Sequence, residues 1–272
     1  MLYWYQWACE KAFEATMAVL PDWFAGHELV QSVHSLAINC MVLTLLWPAA
    51  CAVTRRCSRR FAELQHHKQR YVIGNCSKAL CLAVVCMHPS FYDDVSHVYA
   101  NQSLAETGAK SLWLKRASAL YIASDIVALY MVPKLPATTV AHHWVAMVLA
   151  LCLFATHVAH ANVTIMIALY GAWSSLAWPV NLFLALRCVF DSEWWMQYLA
   201  YASLITYICS CFINWSWHLH WLSDQIFVKY VLLDWYGLCV LLYALSIAVV
   251  ARDDIVLMSW LWRRAQRSVN DQ

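Results

Sequence analysis

Long apolar runs recur along this chain at the length of a bilayer crossing, and they decide most of what it can become. They fall at roughly 29–53, 72–92, 117–132, 138–160, 163–186, 195–218 and 227–250. Each is near the ~20 residues that a helix needs to cross about 30 Å of hydrocarbon. In that medium every backbone N–H and C=O must be satisfied within the protein, so the runs are predicted to be helices. Charged residues are 12% of the 272 and hydrophobic ones 62%, against about 25% and about 45–50% in an average soluble domain. A soluble globule of this composition, with a mean hydropathy of +0.53, would lack the polar surface to cover itself. The expected fold class is therefore all-α, a polytopic membrane protein with a bundle of about seven transmembrane helices. The second and third runs are the weakest, being interrupted by Lys78 and Asp125.

The same arithmetic excludes a soluble enzyme, a disordered chain and a coiled coil. Five glycines, with no GxGxxG or GxxxxGK[ST], argue against a nucleotide-binding loop. A net charge of +2 gives no reason to expect a nucleic-acid partner. Most of the twelve cysteines fall in apolar runs and no CxxC occurs, so they are expected to pack as small, reduced hydrophobes. Cys9, with Cys57 or Cys188, stays unassigned.

Three regions follow. Residues 1–27 are too short and too acidic for a crossing, and no basic segment precedes an apolar core as in a signal peptide. Their Tyr and Trp content suits an interfacial helix. Residues 28–251 form the seven-helix membrane domain, and 252–272 a basic C-terminal tail. Segment 54–71 carries Arg55, Arg56, Arg59, Arg60, Lys68 and Arg70, and the tail carries Arg252, Arg263, Arg264 and Arg267. With seven crossings both lie on one side, which the positive-inside rule makes cytoplasmic or its organellar equivalent. Four Asn-x-Ser/Thr sites occur, about as many as chance supplies.

An ionisable side chain inside a span costs about 2.5–3.5 kcal/mol on insertion scales and so needs a reason. The richest stretch is YIASDIVALYMVPKLPATTVAHHW, residues 121–144. Asp125 lies eight residues before Pro133 and His142 six after Pro136, so both are expected about 9–12 Å below the same membrane face. His143 follows one step deeper. Asn181 precedes Arg187 by six residues, which brings it to the same depth. Lys78 is placed to join them as a counter-ion.

This order of residues resembles the TLC domain, shared by translocating-chain-associating membrane proteins, ceramide synthases and small lipid-homeostasis proteins. The resemblance rests on the lone Asp, the short Pro-containing turn and the His-His pair that opens the next helix. ELVQSVHSLAINCMVLTLL, with His34, is similar to the family's first helix. SSLAWPVNLFLALR places Asn181 on the family's Asn. The chain departs from ceramide synthases in HVAHANVTIMIALYGAWSS, which has no His-Asp pair, and Ser174 stands where many small members carry an acidic residue.

The resemblance implies lipid as the molecule acted on or bound. In acyl-transfer-like chemistry His142 and His143 would be general base or acyl carrier, and Asp125 would fix a tautomer and stabilise the imidazolium. Asn181, His34, Lys78 and Ser174 would line the substrate site. Membrane lipids are the expected partners, with acyl-CoA as donor, and no metal or other cofactor is called for. The structural alternative is an Asp–His–Asn hydrogen-bond network that holds helices together, in a non-catalytic accessory subunit serving as a lipid-binding scaffold with other membrane subunits. The location expected is the endoplasmic reticulum or another endomembrane, or else an organellar inner membrane.

His157, His160, His218 and His220, with Asp224, Lys229, Asp234 and His34 in the outer half of the first span, gather toward the opposite face. A metal-dependent membrane oxidoreductase would need HxxxH and HxxHH boxes on the cytosolic side, and HH, HxxH and HxH are found instead. Helix-end histidines beside Trp215, Trp217 and Trp221 are the simpler reading. A retinal Schiff base needs a lysine in the middle of the last helix, and Lys229 lies at its start.

Overall fold

The computed structural model describes residues 28–88, 108–155, 162–190, 193–228 and 235–270. Among them it is all-helical, with no strand. Helix α1 spans Glu28–Cys57, the short α2 Arg59–Ala62, α3 His66–Cys86, α4 Gly108–Met131 and α5 Ala137–Ala155. Helix α6 spans Asn162–Ser175, α7 Trp178–Phe190, α8 Trp195–Ser223 with a π-helical continuation Asp224–Val228, and α9 Trp235–Asn270. The expected interfacial helix at 1–27 lies outside the described residues.

The connections are set by local chemistry. Ser58 caps α2, its hydroxyl accepting from the Phe61 N–H at 3.2 Å. Gln69, 4% exposed, locks the α1–α3 turn. Its amide nitrogen donates to the carbonyls of Phe61, Ala62 and Leu64, and its oxygen accepts from Arg55 Nε at 2.8 Å. The α4–α5 hairpin is the Pro133-Lys134-Leu135-Pro136 turn expected from the sequence, with Lys134 at φ 65°. That left-handed backbone reverses the chain in few residues although Lys is not favoured there.

The run expected to cross once at 163–186 is two helices bent by 43° at Leu176–Ala177. Pro179 is the physical reason. It has no N–H to give a preceding carbonyl, so it is tolerated in the first turn of α7 and not inside a continuous helix. The last helix also differs from expectation, because it runs unbroken past 251 to Asn270. Its buried positions continue as Val240, Tyr243, Ile247, Val250, Asp254, Leu261 and Ala265, a helical stripe that crosses the supposed start of the tail.

Three described helices are long and apolar enough to cross a membrane, namely Leu29–Cys57, Ala137–Ala155 and Trp195–Ile226. The bent pair supplies a fourth if it acts as one span. Their outer faces are apolar, with Leu45 and Phe212 each 69% exposed, as suits a surface against lipid tails. Lys78, Asp125 and the Arg252-Asp253-Asp254 step lie within α3, α4 and α9.

Arg60 donates to Glu193 at 2.7 Å, which joins the turn after α1 to the turn before α8. His67, Pro133, Cys188 and Arg264 line one cavity at that end, so the α1–α3 turn, the α4–α5 hairpin, the end of α7 and the last turns of α9 share it. No disulfide forms among the described cysteines.

Candidate functional site

Four helices bring ionisable side chains to one place inside the bundle. Asp125, two turns before the end of α4, has no exposed surface. Lys78 of α3 donates to its Oδ1 in a short ion pair, and His143 Nδ1 of α5 lies 3.2 Å from its Oδ2. The Lys78 ammonium also sits 5.5 Å from the centre of the Tyr121 ring. A carboxylate so far from water is tolerable only with such partners.

His142 points elsewhere. On a helix with ~3.6 residues per turn, adjacent side chains diverge by about 100°. The His142 Nδ1 therefore meets Asp253 Oδ2 of α9 at 3.3 Å, while the two imidazole rings stay 5.7 Å apart, edge to face. Thr139 Oγ1 donates to the other Asp253 oxygen at 3.4 Å. The neighbouring Asp254, 4% exposed, accepts from Tyr207 of α8 at 2.7 Å and from Tyr170 of α6 at 3.1 Å.

These groups border a cavity of about 500 Å³, whose wall includes Lys78, His142, His143, Asp253 and Asp254. Asn181 and Ser174 line it too. Asn181 donates to the Ala177 carbonyl of its own helix at 3.4 Å, and Ser174 accepts from Asn214 at 3.4 Å. The expected meeting is thus met by Asp125, His143 and Lys78 in direct contact, with His142, Asn181 and Ser174 around the same space. His34 is not on the cavity wall. The carboxylate beside His142 is Asp253, not the Asp125 that the resemblance implied.

Asp253, Asp254, Tyr170 and Tyr207 were not among the residues singled out from sequence. The signal that finds Asp254 is the stripe at 240, 243, 247, 250 and 254, which keeps helical spacing beyond the apolar run.

The outer histidine cluster is only partly described, since His157, His160, Lys229 and Asp234 lie outside the described residues. His218 is 1% exposed, with ring nitrogens 2.6 Å from the Asn214 carbonyl and 3.2 Å from that of Met166. It packs edge-on to Tyr170 and beside Tyr243. No group of three His, Cys, Asp or Glu able to hold a metal occurs among the described residues.

Chemically, the inner site offers an imidazole beside a carboxylate at a cavity wall, and next to it a lysine–aspartate–histidine cluster. That combination suits proton transfer to or from a bound hydroxyl or amine. No protein-family model, curated protein or solved structure matches the chain.

Proposed function

We propose that the chain is an integral membrane protein of TLC type, crossing the bilayer about seven times, that binds a lipid in its central cavity and acts on it by acyl-transfer-like chemistry. The observation that carries this is the His142–Asp253 pair, 3.3 Å apart, on the wall of a cavity of about 500 Å³. A bundle held by polar glue alone needs no such space. In this reading His142 takes the proton of the attacking hydroxyl or amine and returns it to the thiolate that leaves as the thioester C–S bond of acyl-CoA breaks, while Asp253 orients the ring and stabilises its charged form. Lys78 and His143, fixed by Asp125, present positive charge or N–H groups toward the acyl carbonyl as negative charge develops on its oxygen.

The gathering of three turns and the end of α9 at one end supports the count of crossings, because each return to that end requires an even number between. The same end collects the basic residues, which favours its placement on the cytoplasmic or equivalent side. The endoplasmic reticulum or another endomembrane is the location that suits lipid chemistry.

The test is to incubate the purified full chain with membrane lipids and isotope-labelled acyl-CoA, and to follow label transfer by mass spectrometry. Transfer by the wild type that His142→Ala abolishes supports the reading. Equal transfer by both proteins, or none by either, overturns the acyl-transfer chemistry.

A further inference from the structure

We infer that Arg187 is the centre of a phosphate-binding site at the basic end of the bundle, holding the phosphate of an amphiphilic ligand whose remainder reaches toward His142 and Asp253. The inference rests on the lipid reading above and names the class of ligand that cavity takes.

Arg187 stands in the last turn of α7. Its guanidinium lies 4.5 Å from the centre of the Trp260 ring and 5.9 Å from that of Tyr71. Its Nε is buried and makes no hydrogen bond, and none of the ion pairs among the described residues involves it. Its neighbours in sequence type are provided for: Arg59 pairs with Glu63, Arg60 with Glu193, and Arg55 with Gln69. Arg187 is half-buried, and a partly desolvated cation without an anion is most simply resolved by a counter-ion.

The place where it stands is built for one. Arg187, Tyr71, Lys134 and Trp260 line both the central cavity and a second, outer cavity of about 650 Å³. The outer space also takes in Lys68 and Arg264, and no Asp or Glu lines it. Cations from four separate segments therefore converge on the mouth of a space that ends at the histidines. A guanidinium stacked on aromatic rings keeps its N–H edge free for a planar, two-pronged contact with phosphate oxygens. A group with several anionic oxygens can answer more than one of these cations at once, which a single carboxylate cannot.

The phosphate can come from a phospholipid headgroup or from a soluble phosphate-bearing acyl carrier. To test the site, the full chain in uncharged detergent is titrated calorimetrically with short-chain phosphatidic acid and with the matching diacylglycerol. Saturable binding of the phosphatidic acid and much weaker binding of the diacylglycerol are expected. Arg187→Gln should weaken the former by about tenfold, and Arg187→Lys should restore part of it. Lys134→Gln, in the exposed hairpin, should weaken it by about threefold, and it decides the matter if the Arg187 variants do not fold. Arg59→Gln, away from the cavity, should change nothing. Competition by coenzyme A would identify the soluble carrier as the source, and its absence the headgroup; both agree with the site. Equal affinity for the phosphate-free lipid, or unaltered binding in folded Arg187→Gln, overturns the phosphate site and leaves the lipid reading standing. Binding of neither lipid removes both.

Discussion

His142 and Asp253 face each other across the α5–α9 contact with Nδ1 and Oδ2 3.3 Å apart, while His143 turns to Asp125, its Nδ1 3.2 Å from Oδ2. Two histidines adjacent in sequence thus belong to two carboxylates on different helices. Asp125 sits inside the packing, and His143 reaches from it to the cavity wall. His142 and Asp253 stand at the cavity, with 12% and 13% of their side-chain surfaces exposed. The first pair ties α4 to α5 beside the cavity, and the second ties α5 to α9 at its wall.

Loss of either pair should therefore have different consequences. His142→Ala and Asp253→Asn should lower any acyl transfer by about 10²–10⁴-fold, the usual contribution of a positioned base. Both should shift the midpoint of thermal unfolding by only a few degrees. His143→Ala should lower transfer and in addition destabilise by about 1–3 kcal/mol, since it also removes one partner of a buried carboxylate. Activity and unfolding measured on the same three preparations check this.

The Lys78–Asp125 pair should behave as a unit. Asp125→Leu alone leaves a lysine ammonium in a low-dielectric interior and should cost about 3–5 kcal/mol. Combining it with Lys78→Met removes both charges and should recover a large part of that loss. A double-mutant cycle by chemical denaturation in detergent reads the coupling, and additive losses would mean that the two groups do not depend on each other.

Much of this was legible in the sequence, and what was missed has physical causes. The apolar runs located the helices, and the Pro133–Pro136 turn fixed the α4–α5 hairpin because proline and a left-handed residue leave the chain few alternatives. Asp125, His143 and Lys78 could be brought together from depth alone, since rise per residue is constant. Asp253 and Asp254 escaped because hydropathy ends a helix where apolarity ends, whereas α9 continues on a buried face that includes a carboxylate satisfied by Tyr170 and Tyr207. The bend at Leu176–Ala177 was masked by the unbroken apolarity around Pro179. His34 shows the limit of resemblance: a residue can match a family's pattern and still lie off the cavity.

Asp254 should report on the tyrosines that hold it. Tyr207→Phe removes a donor at 2.7 Å and should cost about 1–3 kcal/mol. Tyr170→Phe removes the longer contact at 3.1 Å and should cost less. Thermal unfolding of the two variants tests the order.

Gly74 marks a close approach of α3 to its neighbours. A Cβ there would come within 2.9 Å of Val132 Cγ2 and 3.1 Å of Trp47 Cη2. Gly74→Ala should therefore destabilise by about 1–3 kcal/mol, and Gly74→Val by more, despite the gain in helix propensity. An unchanged unfolding midpoint for Gly74→Ala would show that α1 and α4 do not close on α3 as described.

The central claim is that the cavity beside His142 exists for a lipid. Mass spectrometry of the gently solubilised protein, recording co-purifying lipids and proteins together, addresses it most directly. One lipid or acyl species enriched well above its share of the membrane, and reduced in the His142→Ala protein, is the expected result. A stoichiometric assembly with other membrane subunits and no enriched lipid would contradict it, and would make the histidine pair the glue of a scaffold.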